Sequence, residues 1–360
     1  MKIAIILGTR PEIIKMSPLI IYCQEHGLDY FTLHTGQHYS FNMDRLFFQE
    51  LDLPEPQYNL NIGSGSHAEE TAKMLIGIEK ILLKEKPQVI LVQGDTNTVL
   101  AGALTASKLN IKIGHVEAGL RSYNRDMPEE INRILTDHIS DVLFTPTHNA
   151  TKILLGEGIS REKIFETGNT IVDAVLRNRK IAERKANLLE TLGLCRENYI
   201  LTTIHRAENV DIKYRLEEIL NGLDKLSKEL NIPVIFPIHP RTKKMIDIFS
   251  LNIPSNIKVI EPVGFLEFLQ LEANAKIILT DSGGVQEESC ILKVPCLTLR
   301  NDTERPETIE VGSNILVGSD TEKIMESANE ILKRRNEWDN PFGDGNSGEK
   351  IIRILQDLYE

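Results

Sequence analysis

The chain has 360 residues, which is enough for two domains, each with a hydrophobic core of its own. Its formal net charge of −11 argues against a nucleic-acid partner, because nucleic-acid-binding surfaces are normally basic. No apolar run approaches the ~20 residues that a membrane-spanning helix needs, and the N-terminal run resembles a first β-strand rather than a signal peptide. We therefore expect no membrane partner.

Short apolar runs alternate with amphipathic stretches along the whole chain. In the first half the runs are KIAIILG, DYFTLHTG, QVILVQG, IKIGHVE and DVLFTP, with helical patterns from Pro11, over 67–85 and from Pro128. In the second half they are NYILTTIH, PVIFPIH, IKVIEP, AKIILTD and VPCLTL. Continuous apolar strands that alternate with helices predict α/β domains whose parallel sheets are covered on both faces.

A charged, helix-like segment without a strand, residues 167–198, separates the two sets of strands. We place the domain boundary near Thr170, with a first domain at 1–170 and a second at 171–345. The last helix, 346–360, has no strand after it and could pack back on the first domain. Ligands of such sheets bind outside the carboxyl ends of the strands, so residues that directly follow strands are the candidates for function.

Cysteine usage indicates a reducing compartment. The four cysteines, Cys23, Cys195, Cys290 and Cys296, form no CxxC motif. We expect reduced, buried thiols and a cytoplasmic location.

Two cations and an acid follow the first and third strands of the first half. Arg10, which we expect to be exposed at the turn, and Lys15 could hold an anion near a helix N-terminus, where the helix dipole also favours negative charge. Asp95 follows QVILVQ, where it could equally serve as a helix N-cap.

Further acids follow the next strand. Glu117 comes directly after IKIGHV, a position that is hard to explain structurally. Glu129 and Glu130 fall in the first turn of the helix that opens at Pro128, where acids also complement the helix dipole.

In the second half, histidine and arginine pairs follow two strands. His205 and Arg206 come after ILTT, and His239 and Arg241 come after VIFP. A lone histidine is more often structural, but two at equivalent strand ends favour a functional role.

The stretch TDSGGVQEE follows a buried strand. Bare amides of Ser282, Gly283 and Gly284 at a helix N-terminus would let a pyrophosphate touch the backbone. Glu288, nearly two turns further on, could accept two hydrogen bonds from a ribose diol. Arg305 precedes Pro306 at another helix start.

Familiar cofactor motifs are missing. No GxGxxG follows a strand, and the chain has no GxxxxGK[ST] and no HExxH, so we expect no dinucleotide cofactor and no metal.

Seven short motifs in this order, GTRPEIIK, GDTNT, HVEAGLR, PEEINR, HRAEN, TDSGGVQEE and TERPE, closely resemble the non-hydrolysing UDP-N-acetylglucosamine 2-epimerases over nearly the whole chain. The resemblance implies a GT-B fold, in which two Rossmann-like domains face a central cleft. It also implies reversible conversion of UDP-N-acetylglucosamine to UDP-N-acetylmannosamine without a cofactor, in a homodimer that supplies polysaccharide precursors.

The resemblance also assigns residues. Asp95, Glu117, Glu129 and His205 would be nearest the chemistry, with Glu129 preferred to Glu130 because it directly follows proline. Substrate would further contact Arg10, Lys15, Phe268, Ser282, Gly283, Gly284, Glu288 and Arg305. Gln37 and His38 resemble a stretch that contacts a second, regulatory substrate molecule in bacterial members.

The C2 proton of the sugar is not acidic, so the reaction needs a route that makes it removable. The resemblance implies elimination of UDP to 2-acetamidoglucal and UDP, followed by re-addition with protonation from the other face. Three alternatives stay open: a hydrolysing epimerase that releases UDP and N-acetylmannosamine, a GT-B glycosyltransferase, and a UDP-sugar sensor that only binds.

Overall fold

The structure is a computed structural model that describes residues 1–36 and 47–359. Within these residues the chain divides into two compact units. The first comprises Met1–Ala174 together with Phe342–Glu360, and the second comprises Val175–Pro341. The boundary that we expected near Thr170 lies at the first residue of a helix, and the division falls after Ala174 within that helix.

The described part of the first unit is built on a parallel sheet of seven strands in the order β3-β2-β1-β4-β5-β6-β7. The strands are β1 (Lys2–Leu7), β2 (Asp29–His34), β3 (Tyr58–Asn59), β4 (Val89–Gln93), β5 (Lys112–Val116), β6 (Val142–Thr145) and β7 (Ile164–Glu166). The helices are α1 (Arg10–Glu25), α2 (His67–Glu85), α3 (Asn97–Lys108), α4 (Pro128–Ile139), α5 (His148–Gly156) and α6 (Thr170–Lys185), with a 3-10 turn at Arg161–Lys163.

The second unit has a parallel sheet of six strands in the order β10-β9-β8-β11-β12-β13. Its strands are β8 (Ile200–Thr203), β9 (Val234–Pro237), β10 (Ile257–Ile260), β11 (Ile277–Thr280), β12 (Cys296–Thr298) and β13 (Asn314–Leu316). Its helices are α7 (Leu188–Leu192), α8 (Ala207–Val210), α9 (Lys213–Leu230), α10 (Pro240–Phe249), α11 (Phe265–Asn274), α12 (Gly283–Leu292), α13 (Pro306–Glu310) and α14 (Thr321–Ile331).

Each sheet carries apolar side chains on both faces, which the flanking helices cover. In the first unit Ala4, Ile6 and Ile90 of the sheet pack with Met74 and Ile78 of α2. The second unit has an equivalent core, in which sheet residues meet α9; its members include Ile200, Leu279, Leu297, Leu216, Ile219 and Leu223. Removing these surfaces from water is the main source of each unit's stability.

The chain returns to the first unit through its last helix, α15 (Ser347–Tyr359). This helix packs on α1, and the two approach closely where Gly348 meets Pro18. A Cβ atom at Gly348 would lie 2.8 Å from the Cβ of Pro18. The glycine therefore sets how close the two helices can come.

The strand order reverses once in each sheet, between β1 and β4 and between β8 and β11. All strand pairs described are parallel, and this arrangement is that of Rossmann-like domains. The predicted fold class is therefore confirmed: the chain has two Rossmann-like parallel-sheet domains of the GT-B type. Among the described residues, no helix is both long and apolar enough to cross a membrane.

The cysteine prediction is partly wrong. All four thiols are free, and Cys23, Cys290 and Cys296 are buried, but Cys195 is exposed. It lies in the polar connection between α7 and β8.

Candidate functional site

Glu117 is held at the carboxyl end of β5 in a strained backbone conformation. Its φ is 66°, a left-handed value that is unfavourable for a residue with a Cβ atom. Its side chain accepts hydrogen bonds from Lys15 Nζ at 2.6 Å and from Gln93 Nε2 at 2.8 Å. The residue is only 8% exposed, so this cation and amide stabilise a nearly buried carboxylate.

Asp95 follows the neighbouring strand β4, and it is not the helix cap that the sequence allowed. The N-cap of α3 is Thr96, whose hydroxyl accepts from the amide of Val99 at 3.4 Å. The Asp95 carboxylate is paired with the Arg133 guanidinium, and its side chain remains 32% exposed. Burial raises the pKa of Asp95 above its usual value, against the lowering effect of Arg133 and with a further contribution from Glu117.

The two acids at the start of α4 have different environments. Glu130 is buried and accepts hydrogen bonds from the amides of Ser122 at 2.9 Å and Tyr123 at 2.8 Å, and it contacts Arg133 at 3.1 Å. Glu129 is exposed and forms no hydrogen bond or ion pair with the described residues. Glu130 therefore organises the preceding loop, and Glu129 is the carboxylate left for solvent or a ligand.

A buried network that we did not predict lies beneath these acids. The His115 ring contacts Asp137 Oδ1 at 2.7 Å and the Gly94 carbonyl oxygen at 2.9 Å. Asp137 also accepts from the amide of Gly119 at 3.2 Å and from Arg121 at 2.6 Å. The network thus links the turn before Asp95 to the turn after Glu117 and fixes both.

The cations of the first helix differ from expectation in their surroundings. Arg10, predicted to be exposed at the turn, is half-buried, and its guanidinium lies 5.4 Å from the centre of the Phe47 ring. Lys15, in the second turn of α1, is paired with Glu117. The amides of Gly8 and Thr9 donate to Glu12, which closes the turn after β1.

In the second unit, His205 is oriented by an acid. Its Nδ1 lies 2.8 Å from Asp281 Oδ1, and Asp281 also accepts from the amides of His205 and Arg206 at 3.0 Å. Burial raises the pKa of Asp281, but His205 and these donors outweigh it, and the net effect is a lowered pKa. Asp281 thus stays ionised and turns the opposite edge of the imidazole outward.

His239 occupies the corresponding position after β9. Its ring centre lies 6.0 Å from that of His205, and its Nδ1 accepts from the amide of Arg241 as the N-cap of α10. Partial burial, His205 and Arg241 lower its pKa. Arg241 itself is paired with Asp211.

The diglycine segment forms the start of α12, as predicted. Neither glycine has a positive φ, no atom lies within 4 Å of a Cβ built at Gly283, and at Gly284 the only such atom is Ser282 Oγ at 3.9 Å. Ser282 is the N-cap, but its side chain makes no capping hydrogen bond. The fold itself therefore does not require glycine here. The prediction of a bare amide at Ser282 is wrong, because this amide donates to Thr280 Oγ1 at 3.0 Å. The amides of Gly283 and Gly284 donate to no acceptor among the described residues.

The remaining predicted residues lie on the surrounding helices. Glu288 is on α12 and only 9% exposed, and Phe268 is half-buried on α11. Arg305 is the N-cap of α13 and contacts Glu287 at 2.6 Å. The predicted regulatory residues Gln37 and His38 lie outside the described residues.

Each unit thus gathers its candidates beside the point where its strand order reverses. Arg10 and Asp95 follow β1 and β4, with Glu117 after the adjacent β5, and His205 and Ser282 follow β8 and β11. Such positions are where doubly wound sheets bind ligands. Sequence inspection missed Asp281, Asp137 and His115, because their contacts join residues far apart in the chain. Within the described residues, no group of three or more His, Cys, Asp or Glu is arranged to hold a metal ion.

The chain is similar to known proteins over almost its full length. A protein-family model for UDP-N-acetylglucosamine 2-epimerase matches residues 22–356. A UDP-N-acetylglucosamine 2-epimerase of Methanocaldococcus jannaschii is 61% identical over 99% of both chains. A UDP-2,3-diacetamido-2,3-dideoxy-D-glucuronate 2-epimerase of Pseudomonas aeruginosa is 43% identical over 99% of this chain and 100% of the relative.

A solved structure agrees with the sequence similarity. The crystal structure of Methanocaldococcus jannaschii UDP-GlcNAc 2-epimerase in complex with UDP-GlcNAc and UDP superposes with a TM-score of 0.88 at 60% identity, covering 99% of this chain and 100% of that one. The family that the seven motifs predict is therefore confirmed, and the chain is an enzyme that belongs to the UDP-N-acetylglucosamine 2-epimerase family.

Proposed function

We propose that the protein interconverts UDP-N-acetylglucosamine and UDP-N-acetylmannosamine by eliminating UDP to 2-acetamidoglucal and adding it back. One observation carries this proposal. Carboxylates follow strands at and beside the reversal of one sheet, and an oriented histidine and the amides of Gly283 and Gly284, which have no acceptor among the described residues, follow those of the other. Acids suit proton transfer at C2, and amides suit a diphosphate.

The second unit supplies groups for the leaving diphosphate. The first amides of α12 and the Nε2 edge of His205 would stabilise negative charge as the bond from C1 to oxygen breaks. Each preorganised donor of this kind contributes on the order of 3 kcal/mol to transition-state stabilisation. Asp281 fixes the imidazole through Nδ1, so the ring needs no reorganisation during the reaction.

The first unit supplies groups for the proton steps. Glu117, paired with Lys15, is suited to accept a proton, and Asp95, whose pKa burial raises, is suited to donate one. Glu129 is a third candidate, exposed in the first turn of α4. Each positioned acid or base contributes roughly 10²–10⁴-fold to the rate.

The substrate assignment rests on the family, and one relative broadens it. The Pseudomonas aeruginosa relative is named for a diacetamido glucuronate. A UDP-activated 2-acetamido sugar is the part common to both names. UDP-N-acetylglucosamine is proposed because the more similar relative bears that name.

Proton NMR of the purified protein with UDP-N-acetylglucosamine in deuterated water, without added cofactor, tests the reaction. We expect UDP-N-acetylmannosamine to accumulate with solvent deuterium at C2. Retention of the original hydrogen would contradict elimination, and accumulation of free N-acetylmannosamine would favour the hydrolysing alternative. Binding without turnover would favour a sensor, and sugar transfer only with an added acceptor would favour a glycosyltransferase.

A parallel incubation with UDP-2,3-diacetamido-2,3-dideoxyglucuronate tests the sugar. Faster epimerisation of that compound would replace the substrate while keeping the reaction. We also propose a cytoplasmic homodimer, as the family resemblance suggests, and sedimentation analysis would reveal a monomer if the assembly is wrong.

A further inference from the structure

Two carboxyl groups meet inside the second unit, where α11 packs against α12. They belong to Glu272, which is completely buried, and to Glu288, the acid that the sequence predicts to contact a ribose. Neither carboxyl oxygen of Glu272 accepts a hydrogen bond from a donor among the described residues. The partner of its carboxyl group is the carboxyl group of Glu288.

Among the described residues, no cation is a resolved influence on Glu272. Besides Glu288, the titratable groups that it influences are Tyr199 and Cys296. The Tyr199 hydroxyl donates to the carbonyl oxygen of Leu271 at 2.5 Å, and burial raises the pKa of the Cys296 thiol to about 12, so both are neutral. Two ionised carboxylates in contact here would be strongly destabilising, so a single shared proton is the arrangement that the site can hold.

The proton belongs on the more deeply buried member of the pair. Burial, followed by the neighbouring Glu288, raises the pKa of Glu272 well above its ordinary value. Glu288 retains some solvent access, whereas Glu272 has none, so Glu288 is the better place for the negative charge.

We propose that Glu272 is a positioning residue for nucleotide binding: it stays a neutral carboxylic acid and donates its one proton to the carboxylate of Glu288. This inference rests on the proposed function and on the sequence-based prediction that Glu288 accepts hydrogen bonds from the ribose diol of UDP. A carboxylate has about four acceptor sites. The bond from Glu272 would use one of them, fix the rotamer and keep Glu288 ionised, so that its carboxylate is oriented to accept from two vicinal hydroxyls.

Infrared spectroscopy tests the shared proton without any nucleotide. The difference spectrum between wild type and Glu272→Gln at neutral pH is expected to contain the carbonyl stretch of one protonated carboxyl group, shifted in deuterated water. Absence of that band would overturn the proposal. Because the comparison removes a single carboxyl group, other protonated acids cancel.

Calorimetric titration with UDP and with 2′,3′-dideoxy-UDP tests the positioning. Glu272→Leu removes the donor, and we expect UDP to bind roughly tenfold more weakly while the dideoxy analogue is unaffected. Glu272→Gln keeps an N–H donor, and we expect UDP affinity within about threefold of wild type. Thermal melts establish that both variants are folded.

The two readouts separate the ways in which this could fail. Equal weakening for both nucleotides in Glu272→Leu would mean that Glu272 only supports the helix, and unchanged affinity for both would mean that it does not position Glu288. If wild type does not prefer UDP to the dideoxy analogue, the diol contact of the proposed function is wrong, and the infrared band alone decides whether the pair shares a proton.

Discussion

At the scale of single residues, the turn after β5 shows how the backbone places a reactive group. Glu117 adopts a left-handed conformation, and Gly119, two residues later, has a φ of 85°. A Cβ at Gly119 would lie 2.5 Å from the carbonyl oxygen of Ala150. The turn can therefore close only with glycine there, and the strain at Glu117 is retained where its carboxylate meets Lys15.

Glu117→Gln preserves the shape of this side chain and removes its basicity. We expect epimerisation to fall by roughly 10²-fold or more, because a proton acceptor is lost. UDP affinity should stay within a few-fold of wild type, because the proposed diphosphate contacts come from the second unit. Turnover by NMR and UDP titration by calorimetry measure the two effects.

Glu162→Gln is the matched control, because it changes an exposed acid of the same unit. It should leave both properties unchanged. Near wild-type turnover in Glu117→Gln would remove this residue from the chemistry and leave Asp95 and Glu129 as the candidates.

Glu12 links stability to pH. It is buried, and burial raises its pKa to about 7 even though Thr96 and the amides of Gly8 and Thr9 donate to it. The folded state then holds this proton more tightly than the unfolded chain, so the stabilising effect is complete below about pH 4.5 and lost as pH rises through about 7. Over this range the contribution of Glu12 to the free energy of unfolding falls by on the order of 3 kcal/mol.

Urea denaturation of wild type and Glu12→Gln between about pH 3 and 8 measures this effect as a difference in unfolding free energy. We expect the advantage of wild type to shrink with rising pH. Glu130→Gln is a control of opposite sign. Burial raises the pKa of Glu130, but hydrogen bonds from Ser122 and Tyr123 and the nearby Arg133 lower it overall. Its contribution should therefore be lost on acidification, and a pH-independent difference for Glu12→Gln would show that its pKa is not raised.

At the scale of elements, the start of α12 allows the effect of a substitution on stability to be distinguished from its effect on UDP binding. An alanine at Gly283 meets no atom within 4 Å and needs no left-handed backbone. We expect Gly283→Ala to leave stability unchanged or raise it by up to ~1 kcal/mol. The added methyl group would block close approach of a diphosphate, so UDP affinity should fall roughly tenfold or more.

Gly156→Ala provides the comparison, because Gly156 also has open space around it but ends α5 in the other unit. Calorimetry should show normal UDP binding for that variant. If Gly283→Ala also binds UDP normally, the diphosphate does not approach these amides.

The elements that could be predicted from sequence are those with local signals. Helix α2 spans the predicted His67–Glu85, because Ser66 and Glu69 form a capping box and Lys86 ends the helix in a left-handed conformation. Helix α4 begins at the predicted Pro128. Strands β3, β7 and β13 were missed, since they are edge strands of two or three residues and too short to show a period.

The candidate site likewise contains residues that could be predicted from sequence and contacts that could not. Residues that directly follow strands, such as Asp95 and His205, could be found because strand ends are visible as the ends of apolar runs. The contact between His205 and Asp281 joins positions 76 apart, and only the pairing of β8 with β11 brings them together. Sequence inspection likewise allowed Asp95 to be a helix cap, a role that Thr96 fills.

At the scale of the whole molecule, the chain leaves the first unit within α6 and comes back to it for its last helix. Helix α15 rests on α1, which carries Lys15. Pro18 interrupts the hydrogen bonding of α1, and the Ser17 hydroxyl donates to the carbonyl of Ile14 at 2.7 Å in compensation. The contact between Pro18 and Gly348 therefore joins the first helix of the chain to the last at the position where α1 lacks a backbone hydrogen bond.

Substituting Gly348 tests whether its contact with Pro18 stabilises the first unit. In Gly348→Val a side chain would overlap Pro18, and overpacking of this kind costs roughly 1–3 kcal/mol. Hydrogen exchange read by mass spectrometry should show faster exchange in α1 and α15, while peptides of the second sheet keep their protection because their core is separate. Gly156→Val is the control, because it introduces valine at a helix end where the side chain has open space. If both variants exchange alike, the first unit does not depend on its returning helix; if only Gly348→Val loosens α1, the end of the chain supports the helix that carries Lys15.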